Sequence, residues 1–252
     1  MAIFLSLSPT IWWSSAVGPP KWYYGEMERP SFVNKEFYHI YNRGVDKRNI
    51  FLDRKDVERF LRSMKEFNSF EPIGSLHEQS VERRLSPVSS VGGRTAKIAK
   101  MGAGEKKLVN IVAYCLNPNH FHFILQQVSD GGVSEFMKRL SGGYAWYFNN
   151  KQKRSGALFQ GRFKAVHIDS NAYLLYVSAY VNLNNRGHSL KNPVKSSWDE
   201  YVGETSTNLC SKSIILGQFD SAREYKEFAE DTLVQIIANK ELRAELESFL
   251  ID

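Results

Sequence analysis

Asn117-Pro118-Asn119-His120-Phe121-His122-Phe123 sits inside an apolar run that begins at Leu108 and ends near Val128. Successive side chains of an extended strand alternate faces, so His120 and His122 project to one side while Phe121 and Phe123 project to the other, into a core. The Asn-Pro-Asn turn predicts two paired strands, Leu108 to Leu116 and Phe121 to Val128, with the histidines at the start of the second. Two imidazoles on one rigid face make a two-pronged site for a divalent metal, leaving room for a third protein ligand and for open positions. The same spacing also fits two ordinary half-buried histidines, and by itself it leaves both readings open.

Working outward, Asn171 to Gly187 reads as a helix whose face carries Tyr173, Tyr176 and Tyr180, with Asn184 one further turn along. Such a stripe buries ring area in a core. It can also present a phenol to a metal-bound phosphate as a nucleophile, with an amide one turn later completing the metal shell. On the other side of the histidines, Glu36 to Arg43 alternates as a first strand ended by Asn42-Arg43-Gly44. Asp53 to Phe70 reads as an amphipathic helix with Asp53 as its N-cap and Val57, Phe60, Leu61, Met64 and Phe67 as its stripe. His39, a lone histidine in an aromatic strand, reads as a packed residue rather than a third ligand. Gly132 to Asn150 is helical, and Phe159 to Ile168 is a fourth strand. The order strand, helix, strand, strand, helix, strand, helix predicts an α+β fold. Its form is a ferredoxin-like split βαβ antiparallel sheet with helices on one face, plus a C-terminal helical extension made of Phe219 to Ala238 and Lys240 to Leu250.

The ordered combination is specific. His120-Phe121-His122 on a strand, followed by Tyr180-Val181-Asn182-Leu183-Asn184 on a helix, resembles the single-tyrosine His-hydrophobic-His transposases of the insertion-sequence-200 type. Phe37-Tyr38-His39-Ile40-Tyr41-Asn42-Arg43-Gly44 is similar to that family's first strand, and Phe159-Gln160-Gly161-Arg162-Phe163-Lys164 to the strand before its tyrosine helix. Trp198-Asp199-Glu200-Tyr201 resembles the tail of the branch associated with repetitive extragenic palindromes. The resemblance spans roughly residues 30 to 205 and departs where the family has Asn-Pro and this chain has Asn184-Asn185, so the helix loses the proline that normally stops it. It implies a metal-dependent enzyme that cleaves and rejoins single-stranded, hairpin-forming DNA. In that scheme Tyr180 is the nucleophile, His120, His122 and Asn184 hold Mg2+ or Mn2+, and Arg43, Lys138, Arg139, Arg162 and Lys164 contact DNA. A nucleic-acid-binding protein without chemistry, or a metal phosphodiesterase that uses water, are the competing classes. Use as a monomer or a homodimer stays open.

Composition agrees with a DNA partner without requiring one. The chain has 252 residues, 42% hydrophobic, with a formal net charge of +6, enough apolar content for a core. From Lys138 to Lys164 there are seven basic residues and no acidic one, whereas the chain from Asp199 onward is net acidic. Residues 1–29 lack the basic start of a secretory signal and a run long enough to span a membrane, and are expected to form an unstructured or loosely docked extension. Residues 30–202 form the expected transposase domain, interrupted by a flexible Ser/Gly/Arg/Lys-rich insertion at 71–107 that has no hydrophobic periodicity. Residues 203–252 form the accessory helical element. Cys115 and Cys210 have no metal-type spacing and form no disulfide framework, which suits a cytoplasmic, nucleoid-associated protein.

Overall fold

The computed structural model describes residues 29–71, 106–187, 195–205 and 208–249. All but Arg29 of the expected N-terminal extension and almost all of the expected 71–107 insertion lie outside these residues. In chain order the elements are β1 (Phe37–Arg43), α1 (Arg54–Glu66), β2 (Val109–Asn117), β3 (His120–Gln127), α2 (Gly132–Lys151), β4 (Lys164–Ile168), α3 (Asn171–Gly187), β5 (Lys195–Ser196), α4 (Trp198–Tyr201), α5 (Ser213–Leu216) and α6 (Ala222–Phe249). The sheet runs β4-β1-β3-β2-β5, and every neighbouring pair is antiparallel. Its first four strands have the split βαβ order, with β1 between β3 and β4, so the α+β class expected from element order is the class observed.

Alternation along β3 sets the two faces. Phe121 and Phe123 are fully buried and meet Phe60 of α1 at ring-centroid distances of 5.6 and 6.2 Å, while Tyr144 of α2 packs edge-on against Phe60 at 4.8 Å. The α1/α2 pair therefore covers one face, as expected. The additional helix α3 covers the opposite face, where the histidines point, and α6 packs on the outside of α3. Tyr225 of α6 makes that outer contact specific: its buried hydroxyl receives Asn182 Nδ2 at 2.8 Å and lies 3.2 Å from Ser178 Oγ. The tyrosine helix is thus held between sheet and C-terminal helix.

Three elements differ from the sequence reading by more than one residue. Helix α1 ends at Glu66, with Phe67 as its C-cap, rather than running to Phe70. The fourth strand begins at Lys164 rather than Phe159, because Gly161 adopts a left-handed φ of 69° and breaks the extended run; Phe159 keeps only an isolated bridge to Gly44. The two expected C-terminal helices are one, since nothing around Asn239-Lys240 supplies a Gly or Pro to stop the first. Among the described residues no helix is long and apolar enough to cross a membrane.

The α1/α2 pair is tied by Asp56. Its buried carboxylate accepts from Lys151 Nζ at 2.6 Å, Tyr147 OH at 3.0 Å and the Leu52 amide at 2.9 Å, while Asp53 caps α1 by accepting from the Asp56 amide. Replacing one side of a buried pair strands the other's donors. Asp56→Ala is expected to lower unfolding free energy by about 3 kcal/mol, at the low end for buried pairs because Lys151 keeps some exposure to water. The check is the midpoint of a denaturant titration; a midpoint within error of the parent would contradict the role.

Candidate active site

The β2–β3 turn is clamped from outside by the segment that follows β1. Pro118 O accepts the amides of Ile50 at 2.7 Å and Phe51 at 3.0 Å, and Gly44 N donates to Asn119 O at 2.8 Å. A side chain at Gly44 would put its Cβ 2.2 Å from Arg48 O, so the tight turn within the clamping segment requires glycine. With the turn fixed, strand register sets the site. Lys164, Tyr41, His122, Cys115 and Ser196 stand directly across from one another on β4, β1, β3, β2 and β5, and the next row places Arg43 beside His120 and His120 beside Asn117.

The two histidines are both supported through Nδ1, by different partners. His120 Nδ1 is 2.6 Å from Asn119 Oδ1, an atom that can only accept, so Nδ1 carries the proton and Nε2 bears the lone pair. That lone pair receives Asn117 Nδ2 at 2.8 Å. His122 Nδ1 is 3.0 Å from His39 Nε2, and the two rings stack at 5.2 Å. With His122 as the donor in that bond, its Nε2 keeps the lone pair, and His39 orients the ring. His39, read from sequence as a packed residue, is therefore fully buried and also in contact with the site. Burial pushes its imidazole down to about 3, so at neutral pH it is neutral and able to accept.

Across from this face, α3 lowers Tyr180 onto the histidines. Its ring stands edge-on to His122 at 5.4 Å and to His39 at 5.9 Å. Burial raises its phenol well above the ordinary tyrosine range, Asn184 opposes that by hydrogen bonding to it, and Cys115, Tyr176 and Tyr41 add to the rise. One turn on, buried Asn184 accepts Asn117 Nδ2 at 2.6 Å through Oδ1. Tyr173 and Tyr176 are more deeply buried in the core cluster, whereas Tyr180 is only partly buried at its edge. Cys115 is also fully buried, with a thiol pushed up to about 12 by desolvation, so it is inert beside the site.

His120 Nε2 and Asn184 Oδ1 thus converge on one nitrogen, at 2.8 and 2.6 Å, with His122 next to them on the same strand face. Two imidazoles and an amide oxygen suit a borderline or hard divalent cation. Among the described residues no group of three His, Cys, Asp or Glu side chains is placed to hold a metal ion, so any cation shell here depends on the amide. Such a set carries no protein charge, and a substrate phosphate would be its natural anionic ligand.

The comparisons with known proteins bear on this constellation. Residues 88–184 match the family model described as "Transposase IS200 like", a span that holds His120, His122, Tyr180 and Asn184. That span of the chain is similar to IS200-like transposases. No curated protein matches it. Among solved structures it is similar to a REP-associated tyrosine transposase bound to a REP hairpin, at 13% identity and a TM-score of 0.42 over 73% of this chain and 90% of that one. It is also similar to the tRNA(His) guanylyltransferase of Saccharomyces cerevisiae, at 10% identity and a TM-score of 0.28 over 81% of this chain and 74% of that one. The IS200-like match begins at residue 88, inside the segment read from sequence as an insertion.

The structure does not gather on one face all the cations expected to touch DNA. Arg43, Arg162 and Lys164 are exposed, with Arg43 beside His120 and donating to Gln160 Oε1, and Lys164 across from Tyr41. Arg29, which no motif singled out, lies 3.8 Å over the Phe163 ring and near enough to Arg162 for the two charges to repel. Lys138 and Arg139 instead lie on α2, across the sheet from the histidines, and both pair with Glu135, Arg139 at 2.7 Å and Lys138 at 3.8 Å. The basic run that looked uninterrupted from Lys138 onward starts one turn after its own counter-ion. Lys151 is likewise taken by Asp53 and Asp56. The departure at Asn185 has the expected local result, since α3 continues to Gly187.

Proposed function

We propose that this transposase cleaves and rejoins single-stranded DNA through a 5′-phosphotyrosine link made by Tyr180. The observation that carries the reading is the convergence of Tyr180 with His122, and of Asn184 with His120 through Asn117, on one sheet face of one chain. The reading needs no residue from a second copy. Tyr180 Oη forms a bond to the phosphorus of a phosphodiester; the bond from phosphorus to the 3′ oxygen breaks, the phenolic proton is lost, and the departing oxygen takes up a proton as a 3′ hydroxyl. Attack by a DNA 3′ hydroxyl on the phosphotyrosine reverses the step and joins new ends, so no nucleotide hydrolysis is required. A divalent ion, Mg2+ or Mn2+, held by His120, His122 and Asn184 would polarise the phosphate and stabilise the charge that develops on it. Asn184 ties the two functions together, since it hydrogen-bonds the phenol and also belongs to the ligand set. Arg43, Arg162 and Lys164 border the site as candidate phosphate contacts, and Lys138 and Arg139 remain candidates only for DNA that wraps to the far face. Hairpin-forming repeats are the proposed substrate because Trp198-Asp199-Glu200-Tyr201 resembles the palindrome-associated branch.

Labelled hairpin-bearing single strands incubated with the protein and Mn2+ should give an adduct that survives denaturation. The double substitution His120→Ala/His122→Ala is expected to abolish metal-dependent cleavage while thermal melts without metal remain cooperative. Undiminished cleavage by that variant would remove the metal site from the reading; cleavage with no adduct under any condition would favour a water-using phosphodiesterase.

A further inference from the structure

We propose that Asn117 is a further member of the cation shell, whose amide donates to the other ligands when no ion is bound and turns to ligate the ion through its oxygen. This rests on the metal-dependent reading above. Asn117 is fully buried, and its side-chain NH2 lies 2.8 Å from His120 Nε2 and 2.6 Å from Asn184 Oδ1. An NH2 has two hydrogens, and here both go to atoms expected to hold the metal. The lone pair of His120 Nε2 is fixed on that point by the Nδ1–H bond to Asn119, so it cannot turn elsewhere. A cation that takes these two lone pairs must therefore displace the Asn117 hydrogens.

Asn117 can leave this arrangement without being stranded. A half turn about its Cβ–Cγ bond exchanges NH2 and oxygen. The oxygen then faces the point where His120 and Asn184 converge, and the NH2 faces Cys115 Sγ, now 3.6 Å from Asn117 Oδ1. Sulfur is a weak acceptor, and an amide oxygen is an ordinary ligand for a hard divalent ion. The turned state gives up two hydrogen bonds to nitrogen and oxygen, and the weak bond that Cys115 Sγ donates to Oδ1, for one metal bond and one weak N–H···S contact, so it is stable only with the ion present. The site would therefore remain preformed without metal and gain a donor when metal enters. A buried apolar side chain could fill the same space next to Cys115 but could do neither.

The test is Mn2+ binding without DNA, by titration calorimetry and by electron paramagnetic resonance of free Mn2+, on the parent and on Asn117→Leu, Asn117→Asp and His120→Ala. Thermal melts in chelator report the fold of each. Asn117→Leu is expected to weaken Mn2+ binding by about ten-fold or more, the scale on which supporting groups tune metal sites. Asn117→Asp adds charge to the ligand set and is expected to tighten it by a similar factor. Binding by Asn117→Leu as tight as the parent's, or tighter, would make the amide a mere competitor for the lone pairs and overturn the proposal. Should Asn117→Leu fail to fold, Asn117→Asp decides alone, and no tightening overturns it. Loss of binding in His120→Ala with full binding in Asn117→Leu would refute this proposal only; parent-like binding in His120→Ala, or none in the parent, would refute the metal reading beneath it.

Discussion

Tyr180→Phe is expected to eliminate the covalent protein–DNA adduct and to reduce strand cleavage by about 10⁴-fold or more, the scale seen when a covalent nucleophile is removed. The substitution deletes one oxygen. Its edge-on contacts with His122 and His39 are ring contacts and survive, so the fold and DNA binding should be preserved. Tyr176 is the natural competitor, one turn earlier on the same helix, but it is more deeply buried and Asn184 is two turns away from it. Tyr176→Phe should therefore keep the adduct. The pair of variants is decisive when run on one labelled strand under denaturing electrophoresis: an adduct that persists in Tyr180→Phe and vanishes in Tyr176→Phe would assign the chemistry to the wrong tyrosine. The raised phenol also has a consequence for mechanism. At neutral pH Tyr180 is fully protonated in the free protein, so its proton must leave as substrate and metal enter, not beforehand.

The second large effect is on stability against acid. His39 is fully buried, and desolvation lowers its imidazole from 6.5 to about 3. In the unfolded chain the same group takes up a proton near pH 6.5, so below that value the unfolded state binds more protons than the native state. Stability is therefore complete above the unfolded value and is lost as pH falls from there towards the folded value, by up to about 1.4 kcal/mol per pH unit. Between pH 7.5 and 5, metal-free protein should lose about 2 kcal/mol through this group alone. His39→Gln keeps an acceptor for His122 but does not titrate, so its stability curve should be flatter by that amount. Denaturant unfolding at a series of pH values in chelator measures both; parallel curves for parent and variant would mean that His39 is not held neutral by the fold.

How much of this was legible in advance follows from which contacts are local. Period-two alternation is a property of the extended backbone, so the split of His120 and His122 from Phe121 and Phe123 followed from one short stretch and is the split observed. The helix from Asn171 to Gly187, with Tyr180 and Asn184 one turn apart, followed from helical spacing in the same way, and Asp53 was recognisable as a cap because capping chemistry spans only a few residues.

What the chain alone could not determine is what register and layer order bring together across long separations. His39 reads as a packed aromatic-strand residue until β1 pairs with β3 and sets its ring against His122, 83 residues away. Asn117 reads as a turn residue until α3 carries Asn184 to it, 67 residues later in sequence. Lys151 reads as part of a basic strip until Asp53 and Asp56 on α1 are seen to occupy it, whereas the pairing of Lys138 and Arg139 with Glu135 is local to α2 and within reach of helical spacing. Local periodicity is set by backbone geometry and is present in any window of the sequence. Charge pairing between elements and second partners of buried polar groups arise only when distant elements pack, because burial makes each such group find a donor or acceptor wherever the fold supplies one.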